Sequence, residues 1–267
     1  MYKLNEKQDF EYITFPLFDK YDNLLNCFTT RKGGVSQGSF ESMNIGFKTG
    51  DIAENVKRNI EIMAEKVGID VADIVGTSQT HTNNIKYVSE EHKGRIFSNS
   101  AFKEVDGIYT DRKNVALMSF HADCTPIFFY DPYKKVIGLA HAGWRGTLQN
   151  ISGIMVRAFV KDFNSNPEDI ITAIGPSLGQ CCFEVDGDVA KLFLAEDEGF
   201  KNYMEIKGPK YHFNLWQINK YLLMKEGIRE ENIEISGLCT KCHNDMFFSH
   251  RGQGGKRGLM AGILMMK

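Results

Sequence analysis

The chain has 267 residues, 42% of them hydrophobic, with a formal net charge of −2 and a pI near 6.4. That length buries a proper core and is read as one domain over residues 1–267. The balanced, scattered charge leaves no field to draw the molecule onto nucleic acid or anionic lipid, so the expected partner is a small molecule, with no nucleic acid and no membrane.

The opening segment "MYKLNEKQDFEYITFPLF" lacks the layout of a signal peptide, and no apolar run approaches membrane length, which points to the cytoplasm. The six cysteines (Cys27, Cys124, Cys181, Cys182, Cys239 and Cys242) are then expected as thiols. "NLLNCFTT" reads as a strand, followed by the glycine-bearing loop "RKGGVSQGSF". "AENVKRNIEIMAEKVGI" carries apolar residues at helical spacing. "DIVGTSQT" and "NIKYVS" are short strands flanking His81. "NVALMSFHADCTPIFFYDPYKKVIGLAHA" reads as two apolar strands with Asp131-Pro132 at the turn, a hairpin. "TLQNISGIMVRAFVKDF" is an amphipathic helix, and "DIITAIG" a strand ending at Gly175-Pro176. "NLWQINKYLLMKEG" is a helix with Asn214 as its N-cap and Gly227 at its end. "NIEISG", "FFSHR" and "GLMAGILMM" complete the strands. The class is mixed α/β, with strand order left open.

Three sites share one design, a polar residue at the end of an apolar strand: His81 in "SQTHTNN", Cys124 in "HADCTPI" and His141 in "LAHAGWRG". Histidine and cysteine are natural Zn²⁺ ligands, and three of them with one open position is the arrangement of a catalytic site. Each also has a plain explanation as a core packing residue. Asp123 and His121, beside Cys124, are candidates to support the ligands from outside. Ala and Gly around His141 permit close approach to the backbone, and Arg145 offers a planar donor for phosphate or carboxylate, or a surface salt bridge. "CTKCH" (Cys239 to His243) matches a haem-attachment pattern but is read as chance in a chain without a signal peptide. Cys239 and Cys242 could hold a metal as C-x-x-C, but no second C-x-x-C completes four ligands. Cys181-Cys182, after the Gly-Pro turn, could be redox-active but reads first as packing.

"SQTH", "ADCTPI", "HAGWRG", "IGPSLGQCCFEV" and "CT…FFSHR", in this order, resemble the YfiH/YlmD family, also called the multicopper polyphenol oxidase or laccase-domain family. The resemblance runs from "FTTRKGGVSQGSFESMNIGFKTGD" to the last strand. It implies a layered α/β/β/α sandwich and a zinc ion on His81, Cys124 and His141. It also implies phosphorolysis of adenosine, inosine, guanosine and methylthioadenosine, with deamination of adenosine. The chain departs from the family pattern where Gly252 follows Arg251, where Leu259 stands in place of an arginine that Arg257 would replace, and at Phe183, where tyrosine is common.

For deamination, zinc activates the water that attacks C6 of adenosine, with Asp123 as candidate acid/base. For phosphorolysis, Arg31, Arg145 and Arg251 are the expected phosphate donors. Three rivals stand beside this expectation. A copper polyphenol oxidase would load Cu²⁺ on the same His₂Cys set, but seven histidines with no H-x-H pair do not readily supply a multi-histidine cluster as well. A peptidoglycan-precursor amide hydrolase would use Cys124 as nucleophile and His141 as base. A non-catalytic metal-binding module has no use for the arginines and glycines around the ligands.

Overall fold

The computed structural model describes residues 2–97 and 102–267. In chain order, β1 (Lys3–Lys7), β2 (Phe10–Thr14) and β3 (Leu24–Thr29) precede helix α1 (Ala53–Val67). Next come β4 (Ile74–Gly76), β5 (Ile85–Tyr87), β6 (Gly107–Thr110), β7 (Ala116–His121), β8 (Thr125–Asp131) and β9 (Val136–Ala142). Helices α2 (Trp144–Leu148) and α3 (Ile151–Phe163) lead to β10 (Ile171–Ile174), β11 (Glu184–Val185) and α4 (Gly187–Glu196). The remainder is β12 (Met204–Lys207), β13 (Lys210–Phe213), α5 (Leu215–Lys225), β14 (Ile233–Ile235) and β15 (Met260–Met266).

Strands β8, β9 and β15 are buried along every residue, so their sheets must be covered on both faces. One sheet runs β1-β2-β3-β15-β7-β4 and the other β14-β10-β8-β9-β6-β5. Between them lies a core that includes Phe28, Leu117 and Leu264 from the first sheet and Phe128, Tyr130 and Leu139 from the second. The alternate residues of β8, Ile127 and Phe129, turn outward onto Ile151, Met155 and Phe159 of α3 and Leu223 of α5. On the far side, α1 lays Val56, Ile60, Met63 and Val67 onto Cys27, Met118 and Ile263. That stripe is the helical periodicity of its sequence. The result is the expected mixed α/β, layered α/β/β/α sandwich. A small sheet, β11-β13-β12, packs with α4 and α5 around Phe193, Phe213 and Ile218.

Several sequence expectations need correction. Residues 114–142 form three strands, not two. The β8–β9 hairpin is as expected, with Asp131 accepting from the amides of Tyr133 and Lys134, but β7 belongs to the other sheet. The chain changes sheets between His121 and Thr125, and that crossing positions the site. The helix expected from Thr147 is broken at Asn150, which takes a left-handed conformation and caps α3 by accepting from Gly153 N at 2.9 Å. "FFSHR" forms turns rather than a strand, because Phe247 and Phe248 fill the inter-sheet core from a loop. Asn214 caps α5 as read, accepting from Gln217 N at 3.2 Å. Among the described residues, no helix is long and apolar enough to cross a membrane.

Candidate functional site

The crossing from β7 to β8 leaves Cys124 just outside the last β8–β9 pair, Thr125 with Ala142. His141, opposite Pro126 on β9, lies beside it. His81 comes from the loop after β4 and is held at φ 65, a left-handed conformation that only surrounding contacts sustain. The ligand atoms of His81, Cys124 and His141 all lie within 4.8 Å of one another. His81 sits in a loop rather than at a strand end, and Cys124 precedes its strand rather than closing one. The glycine of "HAGWRG" has a clear cause: a Cβ at Gly143 would fall 2.9 Å from the His81 ring and 3.2 Å from Cys124 Sγ.

Asp106, which the sequence reading missed, organises this set. It is fully buried immediately before β6. Its Oδ1 pairs with His141 Nδ1 at 2.8 Å and accepts from His81 N at 3.1 Å. Its Oδ2 accepts from Thr80 N, Thr82 N and Thr82 Oγ1 at 3.1, 2.9 and 2.9 Å. One carboxylate therefore fixes both the His81 loop and the His141 ring, leaving His141 Nε2 for other chemistry. Burial pushes the Asp106 carboxyl up, but the His141 hydrogen bond and the Thr82 and Thr80 amides win and hold it at about 2. Burial also opposes charge on His141, yet Cys124 and Asp106 hold the imidazole up at about 9. Cys124 is drawn down to about 6, against its own burial, by His141 and His81. Two imidazoles facing a thiolate form a two-nitrogen, one-sulfur donor set, which fits Zn²⁺ with a position left open.

The expected supporting groups do other work. Asp123 is buried, with Oδ1 accepting from Thr240 Oγ1 and Oδ2 from Arg251 N, both at 2.7 Å. It pins the crossing through both of its oxygens. His121 ends β7, on a different strand from Cys124. Burial and the neighbouring His141 keep it well below its ordinary pKa, so it is neutral. Its Nδ1 bonds Cys124 O at 3.1 Å and its Nε2 pairs with Ser119 Oγ at 2.7 Å.

A cavity of about 920 Å³ opens over Cys124, His81 and His141, a volume suited to a nucleoside-sized ligand. Phe47, Phe97, Phe102 and Phe120 supply aromatic walls, and Arg257 is a cation beside the metal-competent set. Arg257 Nε is buried with no hydrogen-bond partner among the described residues. Burial lowers its pKa, and the charges of Asp123 and Cys124 oppose that. Leu259 also lines the cavity.

None of the three expected phosphate-binding arginines is among the described lining residues. Arg145 is exposed on α2 and stacks 4.1 Å over the ring of its neighbour Trp144. Arg31 donates to Glu41 O and Asn244 O and covers Phe248, which pins two loops. Arg251 reaches Cys182 O and Glu184 O at 3.4 Å. Phe183, the other departure from the family pattern, is packed with Phe193 and Phe213, so the missing hydroxyl concerns an apolar core and not the cavity.

The family profile described as "Multi-copper polyphenol oxidoreductase laccase" matches residues 25–267. Purine nucleoside phosphorylase YlmD of Bacillus subtilis is 39% identical over 245 residues, 90% of this chain and 87% of its own. A purine nucleoside phosphorylase of Bacteroides thetaiotaomicron is 30% identical over 270 residues, covering 97% of this chain and 98% of its own. The crystal structure of Bacillus licheniformis hypothetical protein YfiH superposes with a TM-score of 0.91 at 35% identity, covering 99% of each chain. That of YlmD from Geobacillus stearothermophilus gives 0.90 at 32%, covering 98% of each. By profile, by sequence and by architecture, the chain belongs to the multi-copper polyphenol oxidoreductase laccase family, together with YlmD and YfiH.

Proposed function

We propose that this chain is a zinc-dependent purine nucleoside phosphorylase. It cleaves adenosine, inosine, guanosine and methylthioadenosine to the free base and the (methylthio)ribose-1-phosphate, and deaminates adenosine to inosine. The observation that carries this reading is the convergence of His81, Cys124 and His141 beneath a cavity of about 920 Å³ lined also by Arg257, whose Nε has no hydrogen-bond partner among the described residues. The names of the relatives, purine nucleoside phosphorylases, agree with it.

His81, Cys124 and His141 would hold the ion, with Asp106 fixing the tautomer and orientation of His141. Bound there, zinc supplies Lewis-acid polarisation and water activation at neutral pH. In phosphorolysis a phosphate oxygen bonds to C1′ while the C1′–N bond breaks, and its electron pair leaves with the base, which gains a proton. Arg257, its charge poorly solvated, is suited to hold the phosphate dianion by paired donors. The phenylalanine walls take the faces of the purine. Deamination needs only water at C6 and makes no demand on Arg257.

Cu²⁺ is the alternative ion for the same donors. Among the described residues, however, the other metal-competent group is made of cysteines alone, so no histidine-rich cluster accompanies the site as laccase chemistry requires. One observation favours a second reading. Cys124, His141 and Asp106 stand in the order nucleophile, base, orienting acid, which suits an amide hydrolase acting on peptidoglycan precursors. Metal-quantified protein incubated with adenosine, with and without phosphate, tests the main reading. Adenine with ribose-1-phosphate is expected when phosphate is present, and inosine without it. Neither product from zinc-replete protein overturns it.

A further inference from the structure

The four remaining cysteines outside the core of the first sheet, read in the sequence as two separate pairs, converge on one point. Strands β10 and β14 are parallel neighbours, with Ile174 opposite Ile235, so the loops that follow them leave the sheet side by side. Ser177 and Cys239 extend the pairing as an isolated bridge, with Ser177 N donating to Leu238 O and Thr240 N to Ser177 O. The first loop then presents Cys181 and Cys182, and the second presents Cys239 and Cys242. All four Sγ atoms lie within 4.8 Å of one another. Cys242 Sγ stands 3.6 Å from both Cys181 Sγ and Cys182 Sγ. The adjacent Cys-Cys pair thus supplies the two ligands that a second C-x-x-C would have given.

These distances discriminate between chemistries. A disulfide brings two sulfurs to about 2.05 Å and leaves the others out, and all six cysteines here are free thiols. Four thiolates about 2.3 Å from a tetrahedral Zn²⁺ stand about 3.8 Å apart, and one sulfur equidistant from two others is a corner of such a tetrahedron. The backbone prepares the site as well. The amides of Gly179 and Cys242 hydrogen-bond the Cys239 sulfur and hold it in place. Gly179 is required by closeness, since a Cβ there would fall 3.3 Å from Cys181 Sγ and 2.8 Å from Trp216.

We infer that Cys181, Cys182, Cys239 and Cys242 form a second metal site, a closed tetrathiolate that binds Zn²⁺ and staples the β10 and β14 loops together. Binding releases the thiol protons to solvent. None of the four cysteines is among the described residues lining the cavity, and four protein ligands leave no position for substrate. The site is structural. It nonetheless bears on the cavity: Thr240, between Cys239 and Cys242, and Arg251, whose side chain reaches Cys182 O, both bond Asp123, the residue next to Cys124.

Zinc counting and Co²⁺ spectroscopy under reducing conditions test this. Wild-type protein is expected to carry about two Zn²⁺ per chain, and Cys181→Ser/Cys242→Ser about one. Both of those residues are exposed, so the double substitution leaves the core intact, and phosphorolysis should stay within about threefold of wild type. His81→Ala/Cys124→Ala should retain about one ion, and Co²⁺ loaded into that variant should show the visible and thiolate charge-transfer bands of an all-sulfur tetrahedral centre. If either variant fails to fold, the wild-type Co²⁺ spectrum gives the readout by intensity, because the all-sulfur site adds four thiolates to the single one of Cys124. Zinc content unchanged by Cys181→Ser/Cys242→Ser, Co²⁺ bound without thiolate bands, or disulfides found under reducing conditions would each overturn the site. Failure of the His81 site would leave these outcomes untouched.

Discussion

The two cysteine-bearing clusters differ in how they are built and in what surrounds them. Cys181, Cys182, Cys239 and Cys242 come from loops that leave two neighbouring strands of the second sheet, whereas the other cluster takes His141 from β9, Cys124 from the crossing before β8 and His81 from the loop after β4 of the first sheet. At His81, Cys124 and His141 the donors are mixed, a buried carboxylate stands behind them, and a cavity stands in front. At Cys181, Cys182, Cys239 and Cys242 the donors are four thiols, Cys181 and Cys242 are exposed, and the cavity is elsewhere. Three ligands with room for a fourth suit chemistry, and four ligands suit a staple. The contrast teaches that exposure and donor count, more than the presence of cysteine, separate a reactive centre from a structural one.

The sharpest way to break that contrast is Cys124→Ala. Removing the only sulfur of the cavity site should cost about one Zn²⁺ per chain and lower both phosphorolysis and deamination about a thousandfold or more, since the ion is worth several kcal/mol of transition-state stabilisation. Metal analysis and product assays on one preparation check it. Retention of activity would place the chemistry away from this cluster.

Arg257→Ala comes next. Loss of one preorganised donor to phosphate should reduce phosphorolysis about 10²–10³-fold, while adenosine deamination stays within about tenfold because no anion takes part. Arg257→Lys should rescue poorly, because an ammonium cannot match a two-pronged contact. Equal losses in both reactions would show that Arg257 shapes the cavity rather than binding phosphate.

How much of this was legible in the sequence follows from what local pattern can carry. The metal-competent residues stood out because Cys124 and His141 border apolar runs and His81, in the polar segment "SQTHTNN", follows the short apolar strand β4. The helical stripe of α1 and the buried runs of β8 and β15 were equally plain. The change of sheet between His121 and Thr125 was not, because β7 and β8 are buried on both faces and neither shows an alternation that would assign it to a sheet. Asp106 was invisible for another reason. A lone aspartate before a strand has no period and no spacing, and it reaches His141 only because β6 pairs with β9, Gly107 opposite Ala140. The cysteine pairs failed in the same way, since only the parallel pairing of β10 with β14 joins them. Nearness in sequence misled at Arg145, four residues after His141 but turned outward by the first turn of α2.

Asp106→Asn sharpens the comparison by removing the carboxylate that the all-cysteine cluster lacks. The amide cannot accept from all the donors now served, so zinc affinity at the cavity site should fall about 10–100-fold, read by competition with a chromogenic chelator, while the second ion stays. Stability should change with pH as well. Because the folded carboxyl is held at about 2, below its unfolded value near 3.9, its contribution of about 2–3 kcal/mol is present above about pH 5 and lost as pH falls towards 2. In metal-free protein, the stability gap between wild type and Asp106→Asn should therefore close on acidification. A gap that is constant with pH would mean that packing, not charge, is what Asp106 supplies.

The smallest effect is expected at Arg145. Its guanidinium lies 4.1 Å over the Trp144 ring on an exposed helix, and an exposed cation–π contact is worth about 0.5–1 kcal/mol. Arg145→Ala should thus lower the melting temperature by a few degrees at most and change phosphorolysis less than about threefold. The same assay separates it from Arg257, whose Nε is buried and without a hydrogen-bond partner among the described residues. Both arginines are within reach of the site by sequence or by fold, but only one is desolvated, and a phosphate contact gains its strength from that desolvation. A hundredfold loss of phosphorolysis in Arg145→Ala, with deamination intact, would mean that α2 swings its guanidinium into the cavity when phosphate arrives, and the assignment of the anion to Arg257 would then fall.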